Sequence, residues 1–98
     1  MMKVVISELA KEDLYGISEY LAERSPTAAR KLMKKFREKF RLLATFPLLG
    51  RERDDIVVGM RCLVLDDYLI FYQPYATEIE IWHIRHGAQD LSDLLPHI

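Results

Sequence analysis

The feature that most limits how this 98-residue chain can fold is a change of hydrophobic period near its middle. Over residues 8–45 the apolar side chains recur at helical spacing. Over residues 57–86 they gather in short runs rich in Val, Ile, Leu, Tyr and Trp, separated by turn residues. A helical half followed by a β half, joined by short connections, restricts the chain to an α+β arrangement.

Within the first half, Ala10, Leu14, Ile17 and Leu21 mark one face of a helix over Glu8–Arg24. Ser7 is placed to cap it by accepting a hydrogen bond from a first-turn amide. Ser25-Pro26 then ends this helix and starts another, because proline disfavours helical geometry in the residue before it and suits the first helical position. The second helix is predicted to reach Thr45, with Ala29, Leu32, Met33, Phe36, Phe40 and Leu43 on its apolar face and Phe46-Pro47 as its stop. So short a connection implies an antiparallel hairpin.

Lys3–Ile6 reads as a first strand. Residues 48–55 read as a polar connection. Residues 57–65, 68–73 and 78–86 read as three strands of an antiparallel meander, with a last helical turn over 90–95 stopped by Pro96. The expected order is β-α-α-β-β-β in one domain spanning residues 1–98, its helical hairpin packed on one face of a small, mostly antiparallel, curved sheet. In the middle strand Leu69 and Phe71 point one way, and Tyr68, Ile70 and Tyr72 the other. Both faces are therefore apolar. The helices cover one, and the other needs a cover: the tail, a second copy or a different protein. The last is favoured, because only residues 88–98 remain to serve as a tail.

Net charge is only −1, but the charge is segregated. Residues 8–23 carry five acids and one base, whereas residues 26–46 carry seven bases and one acid. Arg30, Lys34, Arg37 and Arg41 form one stripe at helical spacing, and Lys31, Lys35 and Lys39 a second beside it. Such a face suits the acidic segment of a partner protein or a phosphate backbone, or is simply solvated. The single cysteine, Cys62, rules out an internal disulfide and reads as a packed thiol in a reducing cytoplasm. No secretory leader and no run of about 18 apolar residues is visible, so a cytoplasmic location without membrane contact is expected. His83 and His86 lie three apart on a predicted strand and so project to opposite faces, which argues against a shared metal. Nothing in the chain calls for a cofactor.

Taken in order, these elements and certain residues resemble the ParE/RelE toxin superfamily over nearly the whole chain. The first strand and helix start read Val-Val-Ile-Ser-Glu-Leu-Ala-Lys-Glu-Asp-Leu from Val4 to Leu14, then Ile17 and Tyr20. Ala28-Ala29, Pro47, Gly50-Arg51, Gly59, Arg61, the 68–72 strand and Ile84-Arg85-His86-Gly87-Ala88-Gln89-Asp90 follow in the superfamily's register. The resemblance implies the toxin of a type II toxin–antitoxin module, nearer to ParE-like members, which inhibit DNA gyrase by binding it. The alternative it implies is a RelE-like, ribosome-dependent messenger-RNA endoribonuclease. Such an enzyme needs several basic groups on its sheet to steady a charged transition state, and Arg51, Arg61, Arg85 and His86 would supply them here. Leu69 and Gln89 stand where RelE-like and many related sequences carry arginine, which favours the non-enzymatic reading.

Under either reading the resemblance implies a cognate antitoxin whose C-terminal segment folds onto the toxin, as a heterotetramer or with a toxin homodimer. Arg30, Lys34, Arg37, Arg41, Arg61, Tyr68, Tyr72, Trp82 and Arg85 are the candidate contacts to antitoxin or target.

Overall fold

A computed structural model describes residues 1–87, Leu91 and Leu94. The elements are β1 (Lys3–Ile6), α1 (Glu8–Arg24), α2 (Pro26–Thr45), β2 (Arg51–Glu52), β3 (Arg61–Leu65), β4 (Tyr68–Pro74) and β5 (Glu78–His86). They form a helical hairpin and one sheet of order β1-β5-β4-β3-β2. Only the β1–β5 pairing is parallel, running Lys3↔Glu78 to Ile6↔Ile81. The other three are antiparallel. The α+β class and the mostly antiparallel sheet expected from the sequence are what the structure shows.

Both helices begin where the capping chemistry places them. Ser7 Oγ accepts from the Ala10 amide at 3.1 Å, and Ser25 Oγ accepts from the Ala28 amide at 3.2 Å, with Pro26 at the first helical position. Ser25 also closes α1, its amide donating to Leu21 O at 2.7 Å, so one serine serves both helices. The hairpin buries Ala10, Leu32, Phe36, Phe40 and Leu43 against Ile70, Tyr72, Ile79, Ile81 and Ile84 of the sheet. Phe36 sits at the centre of this layer, 6.2 Å from the Phe40 ring and 5.7 Å from the Tyr68 ring.

Three expectations need correction. The strand expected over 57–65 begins only at Arg61, and the connection read over 48–55 contains the two-residue strand β2. Two residues are too few to show a period. The second face of the sheet does not wait for another polypeptide. Phe71 is 0% exposed there, packed with Ile56, Met60, Cys62 and Leu94, while Leu69, Trp82 and Leu91 pack around them. The cover is the chain's own, drawn largely from the β2–β3 connection. That connection doubles back through Arg53 N–Met60 O (2.8 Å) and Met60 N–Val57 O (2.9 Å), turning at Gly59 with φ +86°. Folded this way it inserts Ile56 and Met60 into the face, a role hidden when Met60 is assigned to a strand and Ile56 is left between connection and strand. Of the expected C-terminal turn, Leu94 N donates to Leu91 O at 3.0 Å. The remainder, with Gln89 and Pro96, lies outside the described residues.

Candidate functional site

β1 pairs with only the first half of β5, so the second half of β5, paired with β4 on one side, has no strand on its other edge. A free strand edge exposes backbone donors and acceptors that must be satisfied or shielded. Here the start of α1 does this. Ser7 Oγ donates to Trp82 O at 2.6 Å, and the Ile84 amide donates to Asp13 Oδ2 at 2.9 Å. The same Asp13 oxygen is hydrogen-bonded to His83 Nδ1, and His83 Nε2 faces Arg85 Nη1 at 3.5 Å.

Beside this linkage runs an open groove of about 830 Å³ between α1 and β5, with Glu12, Gly16 and Tyr20 on one wall and Tyr68, Arg85 and His86 on the other. The Tyr68 ring meets the His86 ring edge-on at 5.4 Å, and burial raises the Tyr68 phenol above its ordinary pKa, so it stays a protonated donor at neutral pH. Replacing Asp13 with alanine removes the shared acceptor and leaves the Ile84 amide unsatisfied. The expected loss is about 1–3 kcal/mol in chemical unfolding, with His83 ring resonances shifted by NMR. Unchanged stability and an unmoved His83 signal would show that the linkage does not hold the edge.

The irregularity that puts His83 here lies between Phe71 and Tyr72. Phe71 pairs with His83 but Tyr72 pairs with Ile81, leaving Trp82 bulged. Ile81 and Ile84 therefore both reach the helix-covered face although three residues apart. His83 opposes Phe71 and His86 opposes Tyr68, so the two project to opposite faces as their spacing predicts, and both nonetheless line the groove at the strand edge. Among the described residues no three His, Cys, Asp or Glu side chains lie close enough to hold a metal ion.

The four candidate catalytic groups do not converge as a set: Arg85 and His86 share the groove, whereas Arg51 and Arg61 lie away from it. Directly opposed residues on antiparallel strands share a face. Arg61 opposes Tyr72 and His86 opposes Tyr68, on the helix-covered side. Arg51 opposes Cys62 and Arg85 opposes Leu69, on the other side. Arg61 is moreover committed: Nη1 donates to Leu48 O at 3.1 Å and Gly50 O at 2.7 Å, and Nη2 meets Glu52 Oε1 at 3.3 Å. It straps the 47–52 loop to the sheet.

Tyr72 is not a surface contact. It is fully buried, its hydroxyl donating to Pro47 O at 2.8 Å while accepting from the Gly50 amide at 2.7 Å. Burial raises its pKa, against a lowering by the Gly50 hydrogen bond, so the donor persists at neutral pH. Trp82 is half-buried on the second face, edge-on to Phe71 at 6.5 Å.

The basic stripe of α2 is where the sequence placed it. Arg30, Lys34, Arg37 and Arg41 are all exposed. Lys34 reaches Glu38 only at 4.0 Å, a pair too exposed to neutralise the stripe. Arg30 and Arg37 border a shallow groove of about 320 Å³ between the two helices, floored by Ala29 and Met33. Lys35, from the second stripe, is tied to Asp66 at 3.1 Å. Sequence reasoning missed Asp13 as the edge cap, and it missed the exposed apolar run Phe46-Pro47-Leu48-Leu49, which reads in the sequence only as a helix stop.

The model of a protein family, the ParE toxin of the type II toxin–antitoxin system parDE, matches residues 4–91. No curated protein sequence gives a significant match. Among solved structures the chain is similar to one described as a chromosomal ParDE TA system from P. aeruginosa. The two share 26% sequence identity and a TM-score of 0.73, over 88% of this chain and 96% of that one. No helix among the described residues is long and apolar enough to cross a membrane. The family match spans both helices and all of the strands but Lys3, and it shows that this chain belongs to the ParE toxins of type II toxin–antitoxin systems.

Proposed function

We propose that this ParE-family chain arrests growth by binding DNA gyrase in the cytoplasm, and that a cognate antitoxin neutralises it. The observation that carries the choice of a binding inhibitor over a nuclease is the dispersal of the basic groups. Arg61 and His86 lie on one side of the sheet, Arg51 and Arg85 on the other, and the Arg61 guanidinium is spent on two loop carbonyls and Glu52. Phosphodiester cleavage needs such groups aimed together at the position where charge develops. Leu69, on the central strand, offers no charge there.

Two surfaces support an antitoxin partner. The exposed Arg30-Lys34-Arg37-Arg41 stripe flanks the groove between the helices, which suits a segment that is acidic on one side and apolar on the other. The larger groove beside β5 offers Tyr20, Tyr68 and Arg85 to a continuation of that segment. A segment that folds on binding gains affinity from a long contact while bearing the ordering entropy at that moment. The assembly is proposed as a heterotetramer with the antitoxin or a toxin homodimer. The likeness to a structure described as a ParDE TA system supports an antitoxin partner.

The test is gyrase-catalysed supercoiling with the purified chain added in increasing amounts, then repeated after preincubation with the protein encoded by the adjoining gene. Inhibition that the second protein relieves is the expected result. Supercoiling at full rate with the toxin in large excess would sink the proposal.

A further inference from the structure

The end of the molecule where α2 gives way to β2 carries three large apolar side chains turned to solvent within four residues. Phe46 is 57% exposed, Leu48 65% and Leu49 48%. Single exposed hydrophobic residues are ordinary, whereas a cluster this dense marks a contact. The backbone that presents them is fixed at nearly every position. Leu49 N donates to Phe46 O at 3.1 Å, Pro47 O and the Gly50 amide are both bonded to the Tyr72 hydroxyl, and Leu48 O and Gly50 O both accept from Arg61. Side chains from two strands thus stiffen a loop whose own apolar side chains stay about half exposed. Stiffening a loop lowers the entropy lost when it docks, and that benefit is realised only with a partner.

We propose that Phe46, Leu48 and Leu49 form a pre-organised anchor that enters an apolar cleft, rimmed by carboxylates, on the enzyme this toxin inhibits. The inference rests on the proposed binding of gyrase and places the contact on this chain. Charge supports the carboxylate rim. Arg51 directly follows the loop and Arg41 lies one helical turn before its start, both exposed, while the neighbouring acid Glu52 is already paired with Arg61. Rigidity favours a folded enzyme as occupant over an antitoxin segment, because a segment that folds on binding can mould itself to a surface and needs no fixed knob. The anchor also stands at the Tyr72 end of β4, whereas the groove beside β5 lies at the Tyr68 end, so the two contacts are separate.

The test uses the full chain with Leu48→Ser and Leu49→Ser combined, and separately Arg51→Glu, after circular dichroism and melting show native folds. Each is titrated into gyrase supercoiling reactions, and its affinity for the antitoxin and its sedimentation are measured in parallel. The double variant is expected to need at least about 30-fold more protein for half-inhibition. Its antitoxin affinity should move less than about threefold, and Arg51→Glu should weaken inhibition with a reduced salt dependence. Wild-type chain without effect on gyrase overturns both this proposal and the function it rests on. Wild-type inhibition matched by the double variant overturns the anchor alone. Parallel loss of antitoxin affinity assigns the loop to the antitoxin, and a wild-type dimer that the variant dissociates assigns it to a second copy; either result overturns the proposal.

Discussion

Phe36→Ala is expected to lower the unfolding free energy by about 3–5 kcal/mol, measured by urea denaturation with an unchanged slope. Phe36 is 1% exposed and joins α2 to the sheet through Phe40 and Tyr68. Truncation removes its transfer free energy and leaves a void that two stiff neighbours cannot collapse into. A domain of this size holds only about 5–15 kcal/mol in total, so the variant should melt well over 10 °C lower. Arg37→Ala, one residue on but exposed, should stay within about 0.5 kcal/mol of the wild type. Similar effects for the two variants would mean that the hairpin does not pack on the sheet through this residue.

The second large effect belongs to the loop strapped by Tyr72 and Arg61. At Gly50 a methyl group would stand 2.6 Å from Tyr72 Cε1, 2.7 Å from its hydroxyl and 2.9 Å from Cys62 O. Two of these are parts of a buried ring and one is backbone, so nothing nearby can yield cheaply. Gly50→Ala is expected to cost about 3 kcal/mol. Tyr72→Phe, which leaves the Gly50 amide and Pro47 carbonyl without their shared partner, should cost about 2–4 kcal/mol. Made together, the changes should cost less than their sum, because each disturbs the same hydroxyl contact. Gly16 provides the contrast. It lies within α1, and a methyl group added there would meet nothing within 4 Å, so Gly16→Ala should stabilise the chain by about 0.5–1 kcal/mol. Thermal melts of the four variants check the pattern, and a silent Gly50→Ala would show that the loop is not held as described.

The helical half was legible because its signals are local. Ser7, Ser25 and Pro26 define helix ends by chemistry within one turn, and the apolar faces repeat often enough to show their period. The faces of Leu69, Ile70, Phe71 and Tyr72 were equally legible, since they require only alternation. Non-local decisions were not legible. Two residues cannot announce a strand, so β2 was hidden until β3 was in place to pair with it. The bulge at Trp82 depends on register across β4 and reverses the parity of the β5 residues on its far side.

The inference of a partner from an uncovered sheet face failed for the same reason. A tail of eleven residues is short for covering it, but Ile56 and Met60 come from the β2–β3 connection, whose residues 57–60 read as strand in the sequence. The case for a partner now stands on the family, the basic stripe and the exposed 46–49 loop. The site residues divide in the same way. Exposed Arg30, Lys34, Arg37 and Arg41 follow from helical periodicity, whereas the burial of Tyr72 and the commitment of Arg61 depend on where a distant loop comes to rest.

The central claim, a binding inhibitor rather than a nuclease, is tested most directly in cells induced for this chain without its antitoxin. Plasmid topology and the integrity of a defined messenger are read from the same culture by gel electrophoresis and primer extension. Plasmids are expected to lose negative supercoils while transcripts stay intact. Transcripts cut within codons on normally supercoiled templates would contradict it.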